Sequence, residues 1–190
     1  MGVFPRDNEP DAFDVLARLF CPSDSVESRS KTEHVQYVPW VKSGAVIATP
    51  GNVIDYALIR AEIQKIAAVC SVQEIAYDRW GASKLSQELQ DQDGHTLVEF
   101  GQGYRSMSEP TKTFERLMMQ RKLHHDGNPA LTWNIANVVL MQDDAGNVKP
   151  TKRLAREKID GFVALVMALG RATLAEQSTS VYESKGAIVI

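Results

Sequence analysis

Ile159-Asp160-Gly161-Phe162-Val163-Ala164-Leu165-Val166-Met167-Ala168-Leu169 is an apolar run with a single ionisable group. A helix that is apolar on nearly every face is normally buried. A buried carboxylate is costly unless it is paired, hydrogen-bonded or bound to a metal. The run therefore predicts a central buried helix and singles out Asp160. A second acid, Asp78, follows the strand-like run Val72-Gln73-Glu74-Ile75-Ala76-Tyr77 and precedes Arg79-Trp80-Gly81. One acid at a strand's C-terminal end and another on a late buried helix predict a shared divalent-metal site.

Outward from these two segments, the chain punctuates itself. Residues 1–11 are polar, carry two prolines and read as a loosely held arm. Ala12 to Cys21 reads as a strand stopped by Pro22-Ser23-Asp24. Residues 23–34 read as a flexible or partly helical surface segment, and 45–49 as a short strand. Asp55 is placed to cap a helix from Tyr56 to about Val69, with Leu58, Ile59, Ile63 and Ile66 on one face. A strand at 72–77, a helix from about Ala82 to Gln90 and a strand from Thr96 to Phe100 come next, an alternation that predicts a parallel α/β core. Glu109-Pro110 opens a helix over 111–120, since proline suits a first helical turn. His124-His125-Asp126-Gly127-Asn128-Pro129 reads as irregular, and Leu131 to Gln142 as containing a strand. Asp143 to Asn147 reads as a hairpin turn. The helix around Asp160 extends from about Leu154 to Ala175, and 177–190 form a tail.

Composition excludes several classes. At 190 residues, 44% apolar and 24% charged, the chain suits one globular α/β domain. A net charge of −3 argues against a generally basic nucleic-acid coat, though not against a local basic patch. Cys21 and Cys70 offer neither a disulfide framework nor metal-ligand spacing and read as free thiols in a reducing cytoplasm. No secretory segment opens the chain, and no apolar stretch is long enough to span a bilayer, so no membrane role is expected.

Hard carboxylate ligands suit Mg²⁺ or Mn²⁺. In a two-metal site the ions sit about 4 Å apart and stabilise the attacking and leaving oxygens of a phosphodiester displacement. Blander readings stand beside this one. Asp78 can cap the helix that follows it, and Asp160 can pair with Lys158 or Arg156. Lys149, Lys152, Arg153, Arg156 and Lys158 form a basic cluster before Asp160, suited either to holding phosphates or to solvating a helix start. His124 and His125 lack zinc spacing and suit a surface or hydrogen-bonding role. Gly101-Gln102-Gly103 is too short for a dinucleotide loop. Trp40, Trp80 and Trp133 read as core or core-edge residues.

Several segments together resemble the C-terminal nuclease domain of the large terminase subunit of tailed bacteriophages. They are YVPWVKSGAVIATPGNVIDY (37–56), IAYDRWGASKLSQEL (75–89), FGQGYRSMSEPTKTFERLM (100–118), LHHDGNPALTWNIANVVLMQDDAGNVKPTK (123–152), KIDGFVALVMALGRA (158–172) and the closing SVYESKG (180–186). The resemblance keeps the family's order. It implies a ribonuclease H-like fold, a mixed sheet flanked by helices, over residues 12–176. It also implies a metal-dependent endonuclease that cuts concematic repeats of viral DNA, the packaging concatemer, with Asp78 and Asp160 as catalytic metal ligands and Mg²⁺ or Mn²⁺, two ions in a complete site, as cofactor. Lys152 fits the family's lysine upstream of the last core helix, and Arg153 and Lys158 join it as DNA-binding candidates. The partners implied are double-stranded DNA, the small terminase subunit and the portal protein, in the cytoplasm of the bacterial host.

The departures shape the rest of the reading. No GxxxxGK[ST] phosphate-binding loop occurs, so no packaging ATPase is expected within these residues. The family's first catalytic aspartate lies on a first nuclease strand upstream of the segment matching 12–21, and neither Asp7, Asp11 nor Asp14 replaces it. The expectation is an N-terminally truncated domain whose gap is filled by a separate chain carrying the missing half, by a partner or by a rearranged arm. The competing expectation is a catalytically silent assembly module that keeps a DNA- or portal-binding surface.

Overall fold

The computed structural model describes residues 1–78, 83–151 and 158–184. Its centre is the helix that the apolar run announced. This last helix, α7, spans Asp160–Ser184. It buries Phe162, Val163, Leu165, Val166, Met167 and Leu169. These pack with Phe13, Val15, Met107, Phe114 and Leu117 into the main core. Phe114 meets Phe162 edge to face, ring centroids 4.9 Å apart, the arrangement that ring quadrupoles favour.

The sheet around it is mixed. Strand β1 (Gly2–Pro5) pairs antiparallel with β2 (Phe13–Leu16), which pairs parallel with β7 (Leu123–His125). The expectation of a loose arm over 1–11 is thereby corrected at residues 2–5. What holds them is non-local pairing, in the register Val3 to Val15 and Pro5 to Phe13, and local polarity could not reveal it. The strand expected over 12–21 divides, because Phe20–Pro22 (β3) leaves β2's partners to pair parallel with Ile47–Thr49 (β4). Around β3 and β4 a second core forms from Cys21, Val35, Tyr37, Trp40, Val46 and Ala130. Trp133 stacks on its edge, 5.5 Å from Trp40. Burial pushes the Cys21 thiol above its ordinary pKa, which suits the reading of that cysteine as a small hydrophobe.

Strands β5 (Ile75–Tyr77) and β6 (Leu97–Glu99) pair parallel, as the alternation predicted. The helices flanking them are α3 (Tyr56–Ala67) and α4 (Ser83–Asp91). Asp55 caps α3 by accepting the Ala57 N–H at 2.9 Å, as its position predicted. Two helices, α1 (Val26–Glu33) and α2 (Tyr37–Lys42), occupy the stretch between β3 and β4.

Three expected boundaries move. Helix α5 runs from Tyr104 to Met119 and starts from Gly103, so Pro110 is interior rather than initial. Proline removes one ladder hydrogen bond there. Its ring instead packs on α7, where a Cβ added at Gly170 would lie 2.6 Å from the Pro110 Cγ. Residues 129–136 form a helix, α6 (Pro129–Ala136), rather than a strand. Asn128 caps it by accepting the Ala130 and Leu131 N–H groups at 3.0 and 3.1 Å. The expected strand is confined to β8 (Leu140–Gln142), which forms a hairpin with β9 (Val148–Pro150). Asp143 closes the predicted turn by accepting the Ala145 and Asn147 N–H groups. Hydrogen bonds from Asn147 hold its carboxyl below the usual carboxylate range.

Candidate metal centre

Asp78 follows β5 directly and is half-buried. A loop after the neighbouring parallel strand supplies its visible partner: Gln102 donates from Nε2 to Asp78 Oδ2 at 2.7 Å. Loops that leave the carboxyl ends of adjacent parallel strands lie side by side, so the Gly101–Gly103 segment serves as a positioning loop beside Asp78. Just beyond it Tyr104 opens α5 with Lys149 over its ring, 4.8 Å from the centroid. A cation and an aromatic face thus stand next to the Asp78–Gln102 pair in sequence and pairing.

Asp160 corrects part of the sequence reading. The helix that it begins is buried, but Asp160 itself is exposed, being α7's first residue. Exposure removes the desolvation argument that first singled it out. A different physical reason puts an acid there: the first turn of a helix has unsatisfied N–H groups and a partial positive charge. The flanking residues are rigid. Ile159 is fully buried, and Gly161 donates its N–H to Asn134 Oδ1 at 2.9 Å. Asn134, itself buried on α6, also donates to the Ala130 carbonyl at 2.9 Å. A Cβ at Gly161 would come 3.0 Å from Leu19 Cδ2 and 3.1 Å from Asn134 Oδ1. The small residue after Asp160 is therefore a packing requirement. The helix start is pinned, and Asp160 projects from a fixed point.

Helix α7 packs on β5, so the two acids belong to touching elements. A bidentate pair fastens them: Arg171 donates from Nε and Nη2 to the two Glu74 carboxylate oxygens. Among the described residues, no three His, Cys, Asp or Glu side chains gather as a metal site. Two oxygen donors nonetheless suit Mg²⁺, which commonly takes one or two carboxylates and completes its shell with water and substrate phosphate.

Of the expected DNA-binding residues, Lys158 is exposed two residues before Asp160, and its charge helps hold Glu33 below the usual carboxylate range, behind hydrogen bonds from Arg29 and Tyr37. Lys152 and Arg153 lie outside the described residues, as does Trp80. His125 accepts the Gly127 N–H at 3.0 Å, and His124 lies 3.0 Å from Glu9. Both histidines therefore have hydrogen-bonding or ion-pairing surroundings. No described helix is long and apolar enough to cross a membrane.

Sequence reasoning missed Gln102 and Asn134. Gln102 was legible in principle, because it follows the strand parallel to that of Asp78. Asn134 carries no local signal, since its partner lies 27 positions away.

Comparison with known proteins agrees with this architecture. A family model described as the terminase large subunit, endonuclease domain, matches residues 4–176. The large terminase subunit of Enterobacteria phage HK97 is 34% identical over 174 residues, covering 90% of this chain and 34% of that protein. Protein YmfN of Escherichia coli K12 is 37% identical over 177 residues, covering 90% of this chain and 39% of its own. The crystal structure of the HK97 large terminase superimposes with a TM-score of 0.77 at 36% identity, over 85% of this chain and 34% of that one. The chain thus spans little more than a third of the length of these relatives.

Proposed function

The chain belongs to the terminase large-subunit endonuclease family, and we propose that Asp78 and Asp160 hold Mg²⁺ or Mn²⁺ for hydrolysis of phosphodiester bonds in concatemeric viral DNA during packaging. The observation that carries the reading is the packing of α7 on β5, each element presenting an acid at one of its ends. The Glu74–Arg171 pair supports it further. On the strand, Ile75 and Ala76 lead from that pair toward Asp78. On the helix, Ala168, Met167 and Ala164 lead from it toward Asp160, and both sets line one groove.

The divalent ion, when bound, supplies Lewis acidity and a lowered water pKa. The chain's own residues do the positioning. Gln102 occupies one Asp78 oxygen and orients the carboxylate, leaving the other for a ligand. Asn134 fixes the first turn of α7 beneath Asp160. Lys158, with Lys152 and Arg153 before it, supplies positive charge for DNA phosphates. Double-stranded DNA is the substrate under this reading. The small terminase subunit, the portal protein and a separate chain carrying the N-terminal half are its partners, in the cytoplasm of the bacterial host.

A second reading, a catalytically silent module that binds DNA or portal protein, draws on the count of acids: two, where a two-metal site usually takes three or four. Plasmid nicking in Mn²⁺, beside Asp160→Ala, Asp78→Ala and an EDTA control, separates the two. Metal-dependent nicking lost in both variants supports the nuclease. A folded chain that binds DNA yet never nicks it supports the silent module.

A further inference from the structure

We propose that the groove between β1 and β5 is a strand-acceptor site, filled by an extended segment of a second polypeptide that completes the sheet. The proposal rests on the terminase reading only for the source of that segment. The groove has a volume of about 350 Å³ and is walled by residues 1–5 on one side and 71–76 on the other.

Hydrogen-bond parity shows what the walls offer. Phe13 donates to Lys122 and Arg6 donates to Ala12, so Phe13 and Val15 face β7 while Asp14 and Leu16 face β1. Their partners on β1 are Phe4 and Gly2. Successive residues of a strand direct their main-chain groups to opposite edges. The main-chain groups of Val3, and the carbonyl of Pro5, therefore face the groove. On β5, Ile75 donates to Thr96 and Tyr77 accepts from Phe100, so these residues face β6 and Ala76 faces the groove. Among the described residues no strand pairs with either of these edges. Two unpaired edges are thus turned toward one slot, an arrangement that invites strand addition.

The floor and roof are apolar and under-covered. Small Ala164 and Ala168 of α7 leave room instead of filling it. Helix α3 has no buried residue at all, and its Ile59, Ile63 and Ile66 line the groove half-buried. An inserted strand with alternating apolar side chains would cover both faces and satisfy both edges. Four residues, roughly 13 Å of strand, match the length of β1.

The relatives indicate the source. The match takes up 34% of the HK97 large terminase, so such proteins carry far more polypeptide outside it. This chain's own C-terminus reaches the groove poorly. Ser184 lies twelve residues past Ala172, about 18 Å along the helix. The six residues after Ser184 extend about 20 Å, enough to return only to the groove's rim.

The test is hydrogen–deuterium exchange on the full 190-residue chain, with overlapping twelve-residue synthetic peptides covering the part of the HK97 large terminase outside its match. The expected result is one peptide that slows exchange about tenfold in residues 1–6 and 73–78 together. The same peptide, N-methylated at alternate amides, should lose that effect. Four results overturn the proposal: no peptide protects both segments; the N-methylated peptide protects equally well; the chain alone is a dimer with both edges protected; or deleting residues 185–190 exposes edges that were protected before. Protection by a peptide leaves the acceptor site standing even where Asp78 and Asp160 bind no Mn²⁺, so the two readings fail separately.

Discussion

Replacing Asn134 by leucine tests how the start of α7 is held. The Asn134 carbonyl accepts the Gly161 N–H at 2.9 Å, and that N–H is among those without a partner inside α7. Leucine keeps most of the side-chain volume but offers no acceptor. A buried N–H left without a partner costs about 1–3 kcal/mol. With about 2 kcal/mol as the working figure, a chain of this size should melt roughly 4–8 °C lower. Asn134→Ala should lose more, because it adds a cavity to the same orphaned donor. Urea denaturation of both variants gives the free energies directly. Mn²⁺ affinity should fall in both, since Asp160 stands on the loosened turn. A leucine variant as stable as the wild type would refute the reasoning: packing, and not the hydrogen bond, would then anchor α7.

Two further perturbations bear on the packing and charge around the site. Gly170→Ala sets a helix-propensity gain of about 1 kcal/mol against a Cβ only 2.6 Å from the rigid Pro110 ring, an overpacking cost of about 1–3 kcal/mol; a net loss of stability is expected, relieved when Pro110→Ala is added, and a higher Tm for the single variant would show that α5 yields. Glu62 is held below the usual Glu range by the Arg18 hydrogen bond; the pair's contribution is therefore complete above about pH 4.3 and is lost as pH falls through the lower folded value, so Glu62→Gln should flatten the acid limb of stability, and an unchanged limb would contradict this.

How much of this was legible in the sequence depends on how local each signal was. Asp55 before an apolar-periodic run announced α3, because a cap acts within one turn. The Asp143–Asn147 turn was legible for the same reason. Asn128-Pro129 carried an equally local cap-and-proline signature, and the neighbouring histidines obscured it. The burial of α7 could be read from its apolar residues, but the position at which the helix begins could not. The exposure of Asp160 follows from that start and not from the composition of the run. Strand β1 was hidden, since a four-residue strand is defined by its partners 13–16. Gln102 beside Asp78 was hidden likewise, because pairing of β5 with β6 brings their loops together.

The account's central claim is that Asp78 and Asp160 serve one metal site, and calorimetric titration of Mn²⁺ into the wild type, Asp78→Asn and Asp160→Asn tests it most directly. The expected result is saturable binding that weakens at least about tenfold, roughly 1.4 kcal/mol, in each variant while both melt within a degree or two of the wild type. Unchanged affinity in either variant would contradict the claim.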